Sequence, residues 1–123
     1  MRRLRCEEGF TLIELVVVIV VLGILGVIAV PKYLDIRAQA EEGVANGVTA
    51  ALRGAVAIRH ARYLMDNAQT YDRTTIAGDI EAEDVTIGAT NAGIQATFAS
   101  ANTYTWTYTA RSGTTPAKVT KSW

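Results

Sequence analysis

Apolar and polar positions follow three successive patterns along the 123-residue chain. From Leu15 to Val30 no side chain is polar, and only Gly23 and Gly26 interrupt the run. With Phe10 to Glu14 added, the run predicts a helix of about 21 residues, roughly 32 Å, long enough to span a bilayer core. From Lys32 to about Met65 the period becomes helical and amphipathic. Val44, Val48, Ala51, Ala55 and Ile58 recur at three- and four-residue steps, and Leu52 and Val56 widen the stripe towards Tyr63. Arg53, Arg59 and Arg62 flank it, and Glu41 and Glu42 open it. Such a stripe packs against the rest of its own domain. Asp66-Asn67 is the expected end, since Asn tolerates the left-handed cap conformation.

After Asn67 the pattern shortens to period two. "GIQATFAS", "TYTWTYTA" and "AKVTKSW" read as strands, and "TTIAGDIEAEDVTIGAT" as short strands around loops. In the second, Tyr104, Trp106 and Tyr108 share one face, and Thr103, Thr105, Thr107 and Thr109 the other. "RSGTTP", Arg111 to Pro116, is a turn between strands. The expected fold is α+β: a long N-terminal helix, with its second half packed on the aromatic face of a small C-terminal antiparallel sheet. No internal repeat or low-complexity segment is present.

Charge changes the picture at the start of the chain. Arg2, Arg3 and Arg5 cluster before the apolar run, which keeps that side in the cytoplasm. Glu14 lies inside the run, where an ionised carboxylate is expensive. Three readings compete. A plain signal anchor leaves Glu14 unexplained. A cleaved secretory signal has an A-x-A-like site at Ala38-Gln39-Ala40, but eight residues past the run and beyond Lys32, Asp35 and Arg37. The third places a processing site before the run, at Gly9.

"EEGFTLIELVVVIVVLGILGVIAVPKY" closely resembles the N-terminus of type IV pilins and related pilin-like proteins. The resemblance covers about 30 residues and rests on "GFTLIE" followed by an uninterrupted apolar run. It implies a cleaved leader, 1–9, a membrane and filament-core helix, 10–31, an amphipathic helix, 32–66, and a sheet region, 67–123. A prepilin peptidase would cut between Gly9 and Phe10 and methylate Phe10. Glu14 would be the family's assembly glutamate, paired with the Phe10 amine of a neighbouring subunit; buried pairs of this kind set register. Gly23, Gly26 and Pro31 mark the stretch expected to loosen, because Pro31 removes one backbone hydrogen bond. The implied partners are further copies of the chain in a helical homopolymer, the peptidase, an assembly platform in the inner membrane, and membrane lipid before assembly. The implied location is the inner membrane for the precursor and the cell surface for the pilus. Many major pilins close a C-terminal loop with a disulfide, which this chain cannot form. Secretion pseudopilins typically carry an "NG-x-YP"-like stretch after the helix, which "DNAQTYDRTT" matches poorly. "VPKYLDIRAQAEEGVANGVTAALRGAVA" is more loosely similar to pilins of the mannose-sensitive haemagglutinin type.

Composition narrows the chemistry. Formal net charge is zero, so no basic field points to nucleic acid. The single cysteine, Cys6, precedes the run and would leave with the leader. His60, the only histidine, sits between Arg59 and Arg62 on the helix and is expected to face solvent. Asp79, Glu81, Glu83 and Asp84 form an acidic run without a calcium-loop signature, expected to be a solvated face. No nucleophile–base pair, phosphate loop or metal cluster is apparent. The expectation is a structural subunit, not an enzyme, with no cofactor or metal. The alternatives are a type II secretion pseudopilin, or an anchored or secreted binding domain using the Tyr104, Trp106, Tyr108 face.

Overall fold

The computed structural model describes residues 9–123; Arg2, Arg3, Arg5 and Cys6 lie outside the described residues. Helix α1 spans Leu12–Met65 and α2 Arg73–Gly78. Strands follow at Val85–Thr90 (β1), Gly93–Phe98 (β2), Thr103–Thr109 (β3) and Lys118–Lys121 (β4). The chain divides into two compact units, one ending at Gln39 and the other spanning Ala40–Trp123.

The first unit holds the apolar part of α1. None of its described residues is buried: Leu15, Ile19, Leu22 and Ile28 are all more than half exposed. Uninterrupted apolar sequence gives the helix no polar face to turn towards water. α1 runs unbroken through Gly23, Gly26 and Pro31 in this single chain, although these residues are expected to loosen it. Pro31 lacks one N–H of the ladder, and the turns on either side stay helical.

The second unit is an antiparallel meander, in order β1-β2-β3-β4, covered by the C-terminal part of α1 and by α2. Ile94 faces Trp106 across β2 and β3, Ala96 faces Tyr104, and Tyr108 faces Val119 across β3 and β4. Paired residues share a face, so these side chains form the inner surface. Trp106, 1% exposed, packs among Leu52, Ile76, Ile94 and Val119. The threonines of β3 face solvent, as the alternation predicts. At Gly93, φ is +159°, and an added Cβ would lie 2.0 Å from the Trp106 carbonyl oxygen. Only glycine permits that approach between β2 and β3.

Four expectations need correction. The buried face of α1 is Glu41, Ala45, Val48, Thr49, Leu52, Val56 and His60. Val44, Ala51 and Ile58 are exposed, so Leu52 and Val56 are central to the stripe rather than its margin. Hydrophobicity alone misplaced the stripe because polar residues with partners sit within it. The Thr49 hydroxyl donates to the Ala45 carbonyl at 2.8 Å and accepts the Trp106 indole N–H at 2.8 Å. The Glu41 carboxylate accepts from the Asn102 amide at 2.6 Å.

His60 is buried rather than solvent-facing. Its Nε2 lies 3.0 Å from the Thr114 carbonyl oxygen, an obligate acceptor, so Nε2 carries the hydrogen. Nδ1 then accepts from the Tyr71 hydroxyl at 3.0 Å, and that hydroxyl accepts the Ala117 N–H at 3.2 Å. This relay ties α1 to the turn that precedes β4.

The start of "TTIAGDIEAEDVTIGAT" is helix α2, not strand. Asp72 caps it, accepting from the Thr75 N–H at 2.9 Å and the Thr75 hydroxyl at 3.0 Å. A good N-cap with Ile76 and Ala77 to bury outweighs the β preference of the threonines. Finally, α1 ends without a left-handed Asn67. The Asp66 side chain accepts the Ala68 N–H at 3.0 Å and turns the chain instead.

Candidate assembly site

The residues singled out for assembly lie at the start of α1. Gly9 and Phe10 precede the helix, and Phe10 is 87% exposed. Thr11 is the N-cap: its hydroxyl oxygen accepts the Glu14 N–H at 3.3 Å. Glu14 Oε2 reaches back, accepting the Thr11 N–H and the Thr11 hydroxyl, both at 2.9 Å. This reciprocal arrangement is a capping box, which satisfies two orphan donors of the first turn. A carboxylate there also suits the positive end of the helix dipole. Oε1 takes no hydrogen bond from the described residues. Thr11 is the capping residue that the hydrophobic pattern misses. The signal was present, since Thr-x-x-Glu before an apolar run is the capping-box signature.

Beyond this turn α1 presents an apolar cylinder to Val30. Gly23, Gly26 and Pro31 lie along it, two to five turns from Glu14, and an added Cβ at Gly23 or Gly26 meets nothing within 4 Å. Both glycines therefore leave space on the helix surface, the condition for close approach by another helix.

Glu41 aside, the charged side chains of the second unit are exposed or half-buried. Arg59 grips Asp79 through Nε to Oδ2 at 2.6 Å and through a second contact from Nη2 to Oδ1. This hydrogen bonding holds the Asp79 carboxyl below its ordinary range, helped by the charges of Arg59 and Arg62. The Asp72 carboxyl is lowered chiefly by the Thr75 N–H it accepts. Glu81, Glu83 and Asp84 are exposed, and no group of His, Cys, Asp and Glu among the described residues is arranged to hold a metal. Burial raises the Tyr108 phenol, whose hydroxyl has no hydrogen-bond partner among the described residues.

Residues 4–30 match the family model of the prokaryotic N-terminal methylation motif. The match spans Gly9, Phe10, Thr11 and Glu14 together with the apolar run. The N-terminal segment is similar to that of prepilin-type proteins carrying this motif. The chain is also 51% identical over 51 residues to the type IV narrow pilus major component PilA5 of Thermus thermophilus. That stretch covers 42% of this chain and 44% of the relative, so the match spans less than half of either protein. No solved structure matches the chain. Within the matched motif, Leu12–Val30 form the unburied start of α1.

Proposed function

We propose that this chain is the structural subunit of a type IV pilus-like filament. Prepilin peptidase cuts it after Gly9, Phe10 is methylated, and the processed chain polymerises through α1. The precursor rests in the inner membrane, and the filament emerges at the cell surface. The observation that carries this reading is the apolar first half of α1, none of which is buried among the described residues and which begins at a hydrogen-bonded carboxylate. An apolar helix of this length needs either lipid or other helices around it. Lipid serves the precursor, and neighbouring copies serve the filament. In the filament the Phe10 amine of one copy pairs with Glu14 of another and sets the axial register. Gly23, Gly26 and Pro31 are the proposed place where the helix loosens to fit its neighbours. The pilus component among its relatives favours a surface fibre over a secretion pseudopilus.

Intact mass and N-terminal sequencing of a sheared cell-surface fraction test this reading. A chain beginning at methylated Phe10 in that fraction is the expected result. A chain beginning at Met1, or at Glu41, overturns it. A methylated Phe10 chain confined to the envelope, with no surface fibre, replaces the pilus with a pseudopilus.

A further inference from the structure

His60 is 8% exposed, and both of its ring nitrogens are engaged. With Nε2–H donating to the Thr114 carbonyl oxygen, Nδ1 has only a lone pair to offer. The single Tyr71 hydroxyl hydrogen is spent on that lone pair, and the Tyr71 oxygen accepts the Ala117 N–H at 3.2 Å. Three parts of the fold thus meet on one ring. α1 supplies His60, the segment before α2 supplies Tyr71, and the turn before β4 supplies Thr114 and Ala117. All of these bonds are compatible with one state of the ring, the neutral form with its hydrogen on Nε2.

A proton added at Nδ1 makes that nitrogen a donor. It then meets the Tyr71 hydroxyl hydrogen head-on, and Tyr71 must turn its O–H away. Among the described residues the Tyr71 hydroxyl has no partner besides His60 and Ala117, so the displaced hydrogen finds no second acceptor there. The surrounding charges give an imidazolium no support. Arg53 of α1 and Lys118 of β4 share with His60 the wall of a groove of about 540 Å³, whose lining includes no carboxylate. From the turn between β3 and β4, Arg111 lies 3.7 Å over the ring of Tyr63, which is itself 6.1 Å from the imidazole. β3 contributes only the phenol of Tyr108. Asp72, the acid beside these phenols, is engaged by Thr75. Arg59 and Arg62 line the other flank of α1 with Asp79 and Glu81. The same groove gives solvent protons a route to the ring.

We propose that His60 is an acid-released latch. Neutral, it fastens the turn before β4 to α1; protonated, it drops the Tyr71 bond and frees that turn from the helix. The unfolded chain takes up the same proton in water without losing a bond. The latch is therefore closed above the ordinary imidazole range, near pH 6.5, and opens as pH falls through it. The bond that docks β3 on α1 is untouched, because neither Thr49 nor Trp106 titrates there. The latch lies within one chain and holds or fails independently of the filament.

The test uses the full chain in detergent micelles, labelled with 15N-histidine, between about pH 8 and pH 5, which brackets the imidazole range. His60 is the only histidine, so the ring gives one set of signals. Nuclear magnetic resonance follows the ring nitrogens. Hydrogen exchange follows the Ala117 amide, referred at each pH to the unfolded-chain rate. The expected result is the Nε2–H form at high pH. As the ring charges, Ala117 protection should fall at least about fivefold, the worth of one hydrogen bond, while the amides between β2 and β3 keep theirs. His60→Gln retains a donor and an acceptor but cannot titrate, so its Ala117 protection should not change with pH. A ring that charges while Ala117 stays protected overturns the latch. So does a ring with its hydrogen on Nδ1, a ring still neutral at pH 5, or an equal loss of protection in folded His60→Gln. If His60→Gln does not fold, the wild-type titration alone decides.

Discussion

Thr49→Val isolates the bond that docks the sheet on the helix. Thr49 is 3% exposed and Trp106 is 1% exposed, so water cannot replace either partner. The substitution keeps the shape of the side chain and removes the oxygen that accepts the Trp106 indole N–H. The Ala45 carbonyl loses its second bond but keeps its place in the helix ladder. The cost is therefore the stranded indole, about 1–3 kcal/mol for a buried donor. Burying a methyl in place of the hydroxyl returns up to about 0.8 kcal/mol. The net loss is about 1–2 kcal/mol, which for a domain of this size lowers Tm by roughly 5–15 °C. The assay is thermal unfolding of the full chain in mild detergent micelles, followed by the near-ultraviolet circular dichroism of its tryptophans. A double-mutant cycle sharpens it. On a Trp106→Phe background no indole remains to strand, so Thr49→Val should be neutral within about 0.5 kcal/mol. A Thr49→Val chain as stable as wild type, or an equal loss on both backgrounds, would refute the argument that this bond joins helix and sheet.

Gly93→Ala should cost about 1–3 kcal/mol, because its Cβ meets the Trp106 carbonyl and β2 must move from β3; a Tm within 2 °C of wild type, about the size of a surface substitution, would contradict this. The Asp79 carboxyl is lowered in the folded chain, so its contribution is present above the ordinary aspartate value near 3.8 and is lost as pH falls through the lower folded value. Asp79→Asn should therefore flatten the acid limb of a Tm-against-pH curve below about pH 4 by a small amount, the pair being exposed, and identical acid limbs would remove the assignment. Glu14→Gln preserves a capping-box acceptor but removes the charge, whereas Glu14→Ala removes both. Both variants should insert in the membrane and fail to give normal filament yield, and full yield from Glu14→Gln would show that capping, not charge, is what assembly requires. Gly9 replaced by Trp should block processing, and a product trimmed to Phe10 from that variant would refute the cleavage assignment.

The sequence is most legible where the determinants are local. β2 and β3 are visible as alternation because each buries one face, and the apolar run is visible because nothing polar interrupts it. The register of the buried stripe on α1 was not legible. Val44 and Ile58 carry as much hydrophobicity as Val48 and Val56, and only the position of the sheet decides which pair is buried. His60 and Thr49 look like surface residues until Tyr71, Thr114 and Trp106 are brought to them from 11 to 57 residues away. α2 was hidden by the β preference of its threonines, although Asp72 three residues before Thr75 is an N-cap signal. At the start of α1, Gly9, Phe10 and Glu14 stand out in the motif, whereas Thr11 shows only through its three-residue spacing to Glu14.

That spacing alters the meaning of Glu14. A glutamate in a membrane helix is usually treated as a bare charge awaiting a partner. Here Oε2 is held by two bonds from Thr11, and Oε1 takes none from the described residues. The side chain is thus fixed in orientation before any neighbour arrives, with one oxygen available. A pre-oriented acceptor lowers the ordering cost of forming a pair. The proposed cut would place a cationic amine on Phe10, one residue before the capping Thr11. The same helical turn then carries both halves of the proposed intersubunit pair, the donor just before its start and the acceptor at its third helical position. Because Thr11 already occupies the near side of the carboxylate, the free oxygen is the one a second copy can use. A single turn of helix thereby supplies its own cap and, in the proposed filament, the acceptor that would define the axial offset between chains.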